Sequence, residues 1–262
     1  MNNQLKIMCA ALALLAAGQV SASTTWTLAS KYGSISSGVT VTAVSNTGGT
    51  NNSANAVNNG ESQTIQSATW TNTYGGISNA DGCKSGSYCD VRDLADNNVE
   101  HSIDNDQRYD MALLTFSELV KLTDLTLGWT TNDSDVTVMA YKGSGKPTLI
   151  GKTYSELVGL GWDSIGNYSD MGTTTKSIND KGVFSSYWLI GAYNPLANPD
   201  GGKVTVNGKS TYDYIKLASV SGCSAKELGC TPPSNDAPEP GSMALFGLGL
   251  LGLVYQRKRT AA

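Results

Sequence analysis

The sequence predicts an all-β exported domain, a β-sandwich or jelly roll, and three observations carry that expectation. Several short segments alternate apolar and polar residues with period two, while few sustain a helical period. Gly, Asn, Asp and Pro punctuate the chain between those segments. Ser and Thr are abundant and only 15% of residues are charged, a composition whose strands favour Thr and whose turns favour Gly and Asn. Many short strands with turns between them suit two packed antiparallel layers better than a parallel α/β sheet.

In chain order, Lys6 supplies a positive start, Ile7 to Ala17 an apolar run, and Val20-Ser21-Ala22 a small-residue cleavage site before Ser23. Residues 1–22 therefore read as a secretory signal peptide, removed together with Cys9. The β-domain is expected over 23–230. Its strands are Val39 to Val44, Thr64 to Thr71, Asp110 to Phe116, Leu122 to Trp129, Val136 to Tyr141 and Ser185 to Tyr193. Lys203 to Val206 runs into Asn207-Gly208, a hairpin signal, and Tyr212 to Val220 answers it. The one helical signal is short: Thr153-Tyr154-Ser155-Glu156 forms a capping box before Leu157. Residues 231–237 contain Pro232 and Pro233 and suit a linker.

Charge and cysteines narrow the class. The chain has a formal charge of −4, and the two end segments hold four of its basic residues but one acid, Glu239, so the domain between them is more acidic still. That balance argues against nucleic acid and anionic lipid as partners. Cys83, Cys89, Cys223 and Cys230 form two local pairs, and an even count in an exported chain points to disulfides. Three connectivities are possible, and the two local bridges are the preferred one. A four-cysteine zinc site is disfavoured because the spacings exceed the usual ligand pairs.

Residue type bounds the candidate sites. His101 is the only histidine, so any histidine-dependent nucleophile or metal catalyst must use it, and no G-x-S-x-G elbow accompanies it. A surface or structural histidine is the preferred reading, and no enzymatic activity is expected. Acidic and amide residues crowd between Asp90 and Asp110; from them Asp104, Asp106 and Asp110 are the candidate ligands for calcium, which takes hard oxygen donors. The run Asn132-Asp133-Ser134-Asp135 offers the same chemistry on a smaller scale, and a solvated turn explains either run without a metal. Glu61, Glu100, Glu118, Glu156 and Glu227 could in principle pair as glycosidase carboxylates, yet none lies in a catalytic motif. Of Trp70, Trp129, Trp162 and Trp188, Trp162 in Gly-Leu-Gly-Trp-Asp is the candidate for an exposed sugar-stacking ring, the others being expected in the core.

The C-terminus combines three unlike signals. Pro238-Glu239-Pro240 precedes an uncharged run from Met243 to Tyr255, which is followed by Arg257-Lys258-Arg259. The run is about 13 residues long, whereas a relaxed helical span needs roughly 20. Gly247, Gly249 and Gly252 weaken it further, and the basic cluster would hold the end in the cytoplasm. Residues 238–259 thus describe a short transmembrane helix serving as a temporary anchor in the inner membrane. This arrangement resembles the PEP-CTERM sorting tail. The segments Glu100 to Asn105, Arg108 to Phe116, Leu125 to Trp129 and Asp133 to Tyr141 are similar to those of exosortase-dependent surface proteins with β-rich ectodomains, and Asp213 to Leu217 is similar to their last strand. The resemblance implies export, cleavage by exosortase, and a non-enzymatic role at the cell surface or in an exopolysaccharide biofilm matrix. The alternative on the same sandwich is a glycan-binding module or a carbohydrate-active enzyme.

Overall fold

A computed structural model describes residues 23–48, 63–78, 101–105, 108–197 and 212–232. Backbone contacts divide the chain into Met1–Cys230 and Thr231–Ala262, and every element described below belongs to the first unit. The signal peptide, Cys83, Cys89, Asp106, the Asn207-Gly208 hairpin and the whole sorting tail lie outside the described residues.

The fold is all-β. Its strands are β1 (Thr24–Thr27), β2 (Val39–Gly48), β3 (Thr64–Thr71), β4 (Gly76–Ser78), β5 (Ile103–Asp104), β6 (Asp110–Asn132), β7 (Val136–Tyr141), β8 (Trp162–Tyr168), β9 (Lys176–Ser177), β10 (Ser185–Ala192) and β11 (Asp213–Ser224). All their pairings are antiparallel. Short 3-10 turns occur at Ser30–Tyr32, Tyr154–Glu156 and Val158–Leu160, and no α-helix occurs among the described residues. Where the sequence suggests a helix, the capping box does form: the Thr153 N–H donates to Glu156 Oε2 at 2.7 Å. It caps only a 3-10 turn, because Gly159 and Gly161 follow at once and Gly161 turns left-handed at φ 94°.

One strand organises the whole. The sequence suggests two strands between Asp110 and Trp129, but β6 runs through all 23 residues. Its first part pairs with β2 on one side and β10 on the other, extending the order β4-β3-β2-β6-β10-β7-β8. From Val120 onward it pairs with β11, which also takes β1 and β5, and β9 adds to its other edge. The switch of neighbours falls where the β10 register shifts between Ser185 and Tyr187, a bulge that re-aims the strand.

The two groups of strands share one apolar core. Ala112, Leu114 and Phe116 from the first part of β6 meet Leu122, Leu125 and Leu127 from its second part, together with Trp26, Trp188, Ile190, Ile215, Leu217 and Val220. A second cluster lies on the opposite face of the first group. There Met111, Met139 and Leu189 pack under Leu149, Tyr154, Leu157 and Trp162. Alternation along β6, β7 and β10 feeds both clusters, as side chains of period two must. At the end of β11 Cys223 and Cys230 are disulfide-bonded, as the local pairing anticipates. Closing so short a loop restricts the unfolded chain and contributes about 2.5 kcal/mol on the chain-entropy account.

Candidate functional site

Among the described residues, three carboxylates converge. Oxygens of Asp133, Asp135 and Asp170 lie within 4.8 Å of one another. Asp133 and Asp135 sit in the tight connection between β6 and β7, Asp170 follows β8, and Asp213 opens β11 beside them. Backbone donors fix the arrangement. The Ser134 N–H donates to Asp133 Oδ1, the Asp170 N–H to Asp135 Oδ1, and the Asp135 N–H to Asp213 Oδ1, each at 2.8 Å. Asn105 locks Asp213 reciprocally: its Nδ2 donates to Asp213 Oδ2 at 2.7 Å, and its Oδ1 accepts the Asp213 N–H at 2.8 Å. Asp170 adopts φ 49°, which a short polar side chain tolerates.

The electrostatics are unfavourable without a further partner. Asp135 and Asp213 are each only 2% exposed. Burial pushes the Asp213 carboxyl up to about 7, with the charges of Asp135 and Asp133 adding to it against the hydrogen bonds from Asp135 and Asn105. Burial likewise pushes Asp135 up to about 6, opposed by the Asp170 N–H and reinforced by the charges of Asp133 and Asp170. Only Oδ1 of Asp135 accepts a hydrogen bond among the described residues. Lys176 approaches, but its ammonium donates to the Asp170 main-chain carbonyl. None of Asp135, Asp170 and Asp213 forms an ion pair among the described residues. Of the three converging carboxylates Asp135 is buried, Asp133 half-buried and Asp170 exposed. Like charges at this distance can be relieved by protons or by a cation, and an all-oxygen donor set suits a hard one.

The residues singled out from the sequence are distributed differently. Asp104 is buried and accepts from Ser102 Oγ at 3.0 Å, and Asp110 is buried at the head of β6. Neither belongs to the converging group, and Asp106 lies outside the described residues. Trp162 is 1% exposed, which corrects its reading as an exposed ring. It starts β8, and its ring packs 5.4 Å from that of Tyr141. Trp188 is fully buried, while Trp70 and Trp129 are half-buried. His101 has φ 59° and marks a close crossing: a Cβ on Gly76 would lie 1.4 Å from the His101 carbonyl oxygen.

Two glutamates do share a cavity. Glu118 and Glu227, with Trp26 and Phe116, line a space of about 220 Å³ at the end of β6. Each is engaged by its surroundings. Glu118 pairs with Lys226 at 2.9 Å, and Glu227 accepts from Thr24 Oγ1 at 3.1 Å. Hydrogen bonds from Lys226 and Ser224 hold the Glu118 carboxyl below its ordinary value, the opposite of what a glycosidase general acid requires. These contacts fasten the disulfide-closed loop to β1 and β6.

Among the described residues no helix is long and apolar enough to cross a membrane. No curated protein matches the chain. A solved structure, the C-terminal domain of a chitobiase from Bacteroides fragilis, aligns at 16% identity over 52% of this chain and 82% of that one. Its TM-score of 0.28 is too low for the likeness to bear on function. Residues 236–259 match the family model described as the PEP-CTERM protein-sorting motif. The match spans Pro238-Glu239-Pro240, the apolar run and Arg257-Lys258-Arg259 in that order, so the chain carries a PEP-CTERM protein-sorting motif at this end.

Proposed function

We propose that this chain is exported, held briefly in the inner membrane by its tail, cut by exosortase and released to the cell surface. There its β-domain serves the extracellular polysaccharide matrix as a non-enzymatic component. The observation that carries the reading is the sorting motif at 236–259, which implies processing by exosortase through a membrane-anchored precursor. A single histidine, and a Glu118 carboxyl held below its ordinary value by Lys226 and Ser224, favour the non-enzymatic reading over a glycosidase one. The decisive experiment replaces Pro238, Glu239 and Pro240 with alanine in the native host. The wild-type chain reaches the surface without the mass of its tail, and the variant stays as a membrane-bound precursor. Identical mature mass and release in both would overturn the sorting reading.

A second element is favoured by one observation, the convergence of Asp133, Asp135 and Asp170 around a buried carboxylate with an unused oxygen. Calcium held there would join the β6–β7 connection to the segment after β8, a clip of the kind exported β-domains use. This group is a second candidate for calcium beside Asp104, Asp106 and Asp110, of which Asp106 lies outside the described residues. Calcium at about a hundredfold over its Kd raises unfolding free energy by about 2.7 kcal/mol. Thermal unfolding in calcium and in EGTA measures it, with Asp170→Asn as the control that abolishes the difference. Coincident melting curves for the wild-type chain would end the assignment.

A further inference from the structure

Four segments meet on the outer side of β11. Lys216 of β11 is the cross-strand partner of Trp129 in β6, and its ammonium lies 4.8 Å from the centre of the Trp129 ring. The same ammonium lies 5.4 Å from the ring of Tyr74, in the turn between β3 and β4. Lys31, in the 3-10 turn Ser30–Tyr32, stands 5.5 Å from that Tyr74 ring. Tyr32 beside it covers β6 at Gly128, where a Cβ would fall 2.0 Å from the ring. The result is a ladder, Lys31–Tyr74–Lys216–Trp129, with Tyr32 alongside.

The ladder is built by backbone, not by chance apposition of long side chains. Ser30 N–H donates to the Asn72 carbonyl and Lys31 N–H to the Thr73 carbonyl, which ties the first turn to the second. Leu217 N–H donates to the Gly75 carbonyl at 2.7 Å, which ties the second turn to β11. Gly75 has φ 74°, and a Cβ there would lie 2.0 Å from the Leu217 oxygen, so only glycine permits the approach. Gly128 does the same for Tyr32.

Its charges have no counter-ion among the described residues. Among the described residues neither Lys31 nor Lys216 forms an ion pair. Burial and then the nearby charge of Lys31 both push the Lys216 ammonium below its ordinary value. Two ammonium groups therefore share one tyrosine ring with no paired anion among the described residues, in a chain whose formal charge is −4. Cation–π contacts offset part of that repulsion, and a bound anion would remove it. Tyr74 is also 45% exposed, which leaves ring surface for an apolar ligand face.

We propose that this ladder binds a carboxylated sugar of an acidic polysaccharide, the lysines taking the uronate carboxylate and the Tyr74 and Trp129 rings taking the sugar's C–H face. The proposal rests on the reading that the chain's partner is extracellular polysaccharide, and it adds the class. A nucleic acid carries one charge per about 1.7 Å of duplex, and the acidic domain repels so dense a polymer. A polyuronate spaces its carboxylates one per sugar and offers the pyranose face that the rings fit.

The test titrates the purified full chain in mild detergent with polygalacturonate, with dextran as the uncharged polymer and with duplex DNA. Binding to polygalacturonate alone is expected, weakening as salt screens the lysines. Lys216→Met and Tyr74→Ala should each weaken it about tenfold, whereas Lys216→Arg should keep it. Thermal unfolding verifies that the variants are folded, and Tyr74→Ala, in an exposed turn, decides the matter if a strand variant is not. No binding, equal binding to dextran, preference for DNA, or affinity unchanged by both Lys216→Met and Tyr74→Ala would each overturn the proposal. Binding to dextran alone would leave the matrix reading intact while removing this one, and the readout does not depend on tail processing.

Discussion

The first part of β6 is buried on both faces, and the second part on only one. Met111 and Leu113 face one cluster while Ala112, Leu114 and Phe116 face the other, because the segment holding Leu149, Tyr154 and Leu157 lies over the outer side. Beyond Val120 the inward residues are still leucines, Leu122, Leu125 and Leu127, but their neighbours are Lys121, Thr123, Asp124, Thr126 and Trp129, all half-exposed. The same strand thus carries a near-continuous apolar sequence where it is covered, and apolar residues set among polar ones, with a register shift between Leu122 and Asp124, where it is half-exposed. What decides the composition is the presence of a covering segment, and the uncovered stretch is where hydroxyls, lysine and tryptophan can meet a partner.

That contrast is broken most severely at the shared core. Trp188 is fully buried, and its indole N–H donates to the Ser185 carbonyl at 3.0 Å. Trp188→Ala should cost about 3–5 kcal/mol, read as a lower urea midpoint. A loss below about 1 kcal/mol would mean that the two strand groups do not depend on a common interior.

A smaller effect tests the end of the uncovered part, where Asp135 and Asp213 sit. Their folded-state carboxyls, at about 6 and about 7, lie above the ordinary 3.8. In EGTA the folded chain therefore holds more protons than the unfolded one between these values. Stability contributed by these groups is greatest near pH 4, declines as pH rises through 6 and 7, and stays low above that. The urea midpoint of the wild-type chain minus that of Asp135→Asn should fall across this window. A difference that rises with pH would contradict the assigned burial of the pair.

The smallest effect is expected on the open face. Thr126 shares an exposed hydroxyl contact of 2.8 Å with Thr175. Thr126→Ala should change stability by no more than about 0.5 kcal/mol. If the same denaturation assay gives a cost comparable to Trp188→Ala, something covers that face in the folded protein and the contrast fails.

Legibility in the sequence followed the same division. Strands with plain alternation, β2, β3, β7, β10 and β11, lie where period two puts them. β6 appears in sequence as two strands because the polar stretch around Glu118 and Lys121 interrupts the pattern, while the backbone continues and only its neighbours change. β4, β5 and β9 are two or three residues long and exist only because a longer strand pairs with them. At the acidic group, Asp133 and Asp135 are visible as a local run. Asp170 and Asp213 join it through β8 and β11, a closeness that no spacing along the chain can express. Trp162 misleads because glycines around it suggest an open loop. Gly161 instead ends the turn in a left-handed conformation and delivers the tryptophan beneath Tyr141.

The Cys223–Cys230 bridge has a mechanical consequence. Any tension on the chain beyond Thr231 enters the domain at Cys230, and the covalent link passes it directly to Cys223, inside a strand paired with β1 and β6. Residues 224–229 form a parallel path, itself fastened to β1 and β6 by Glu227 and Lys226. The domain would resist being peeled from its last residue inward, because the force is applied seven residues upstream, within the sheet.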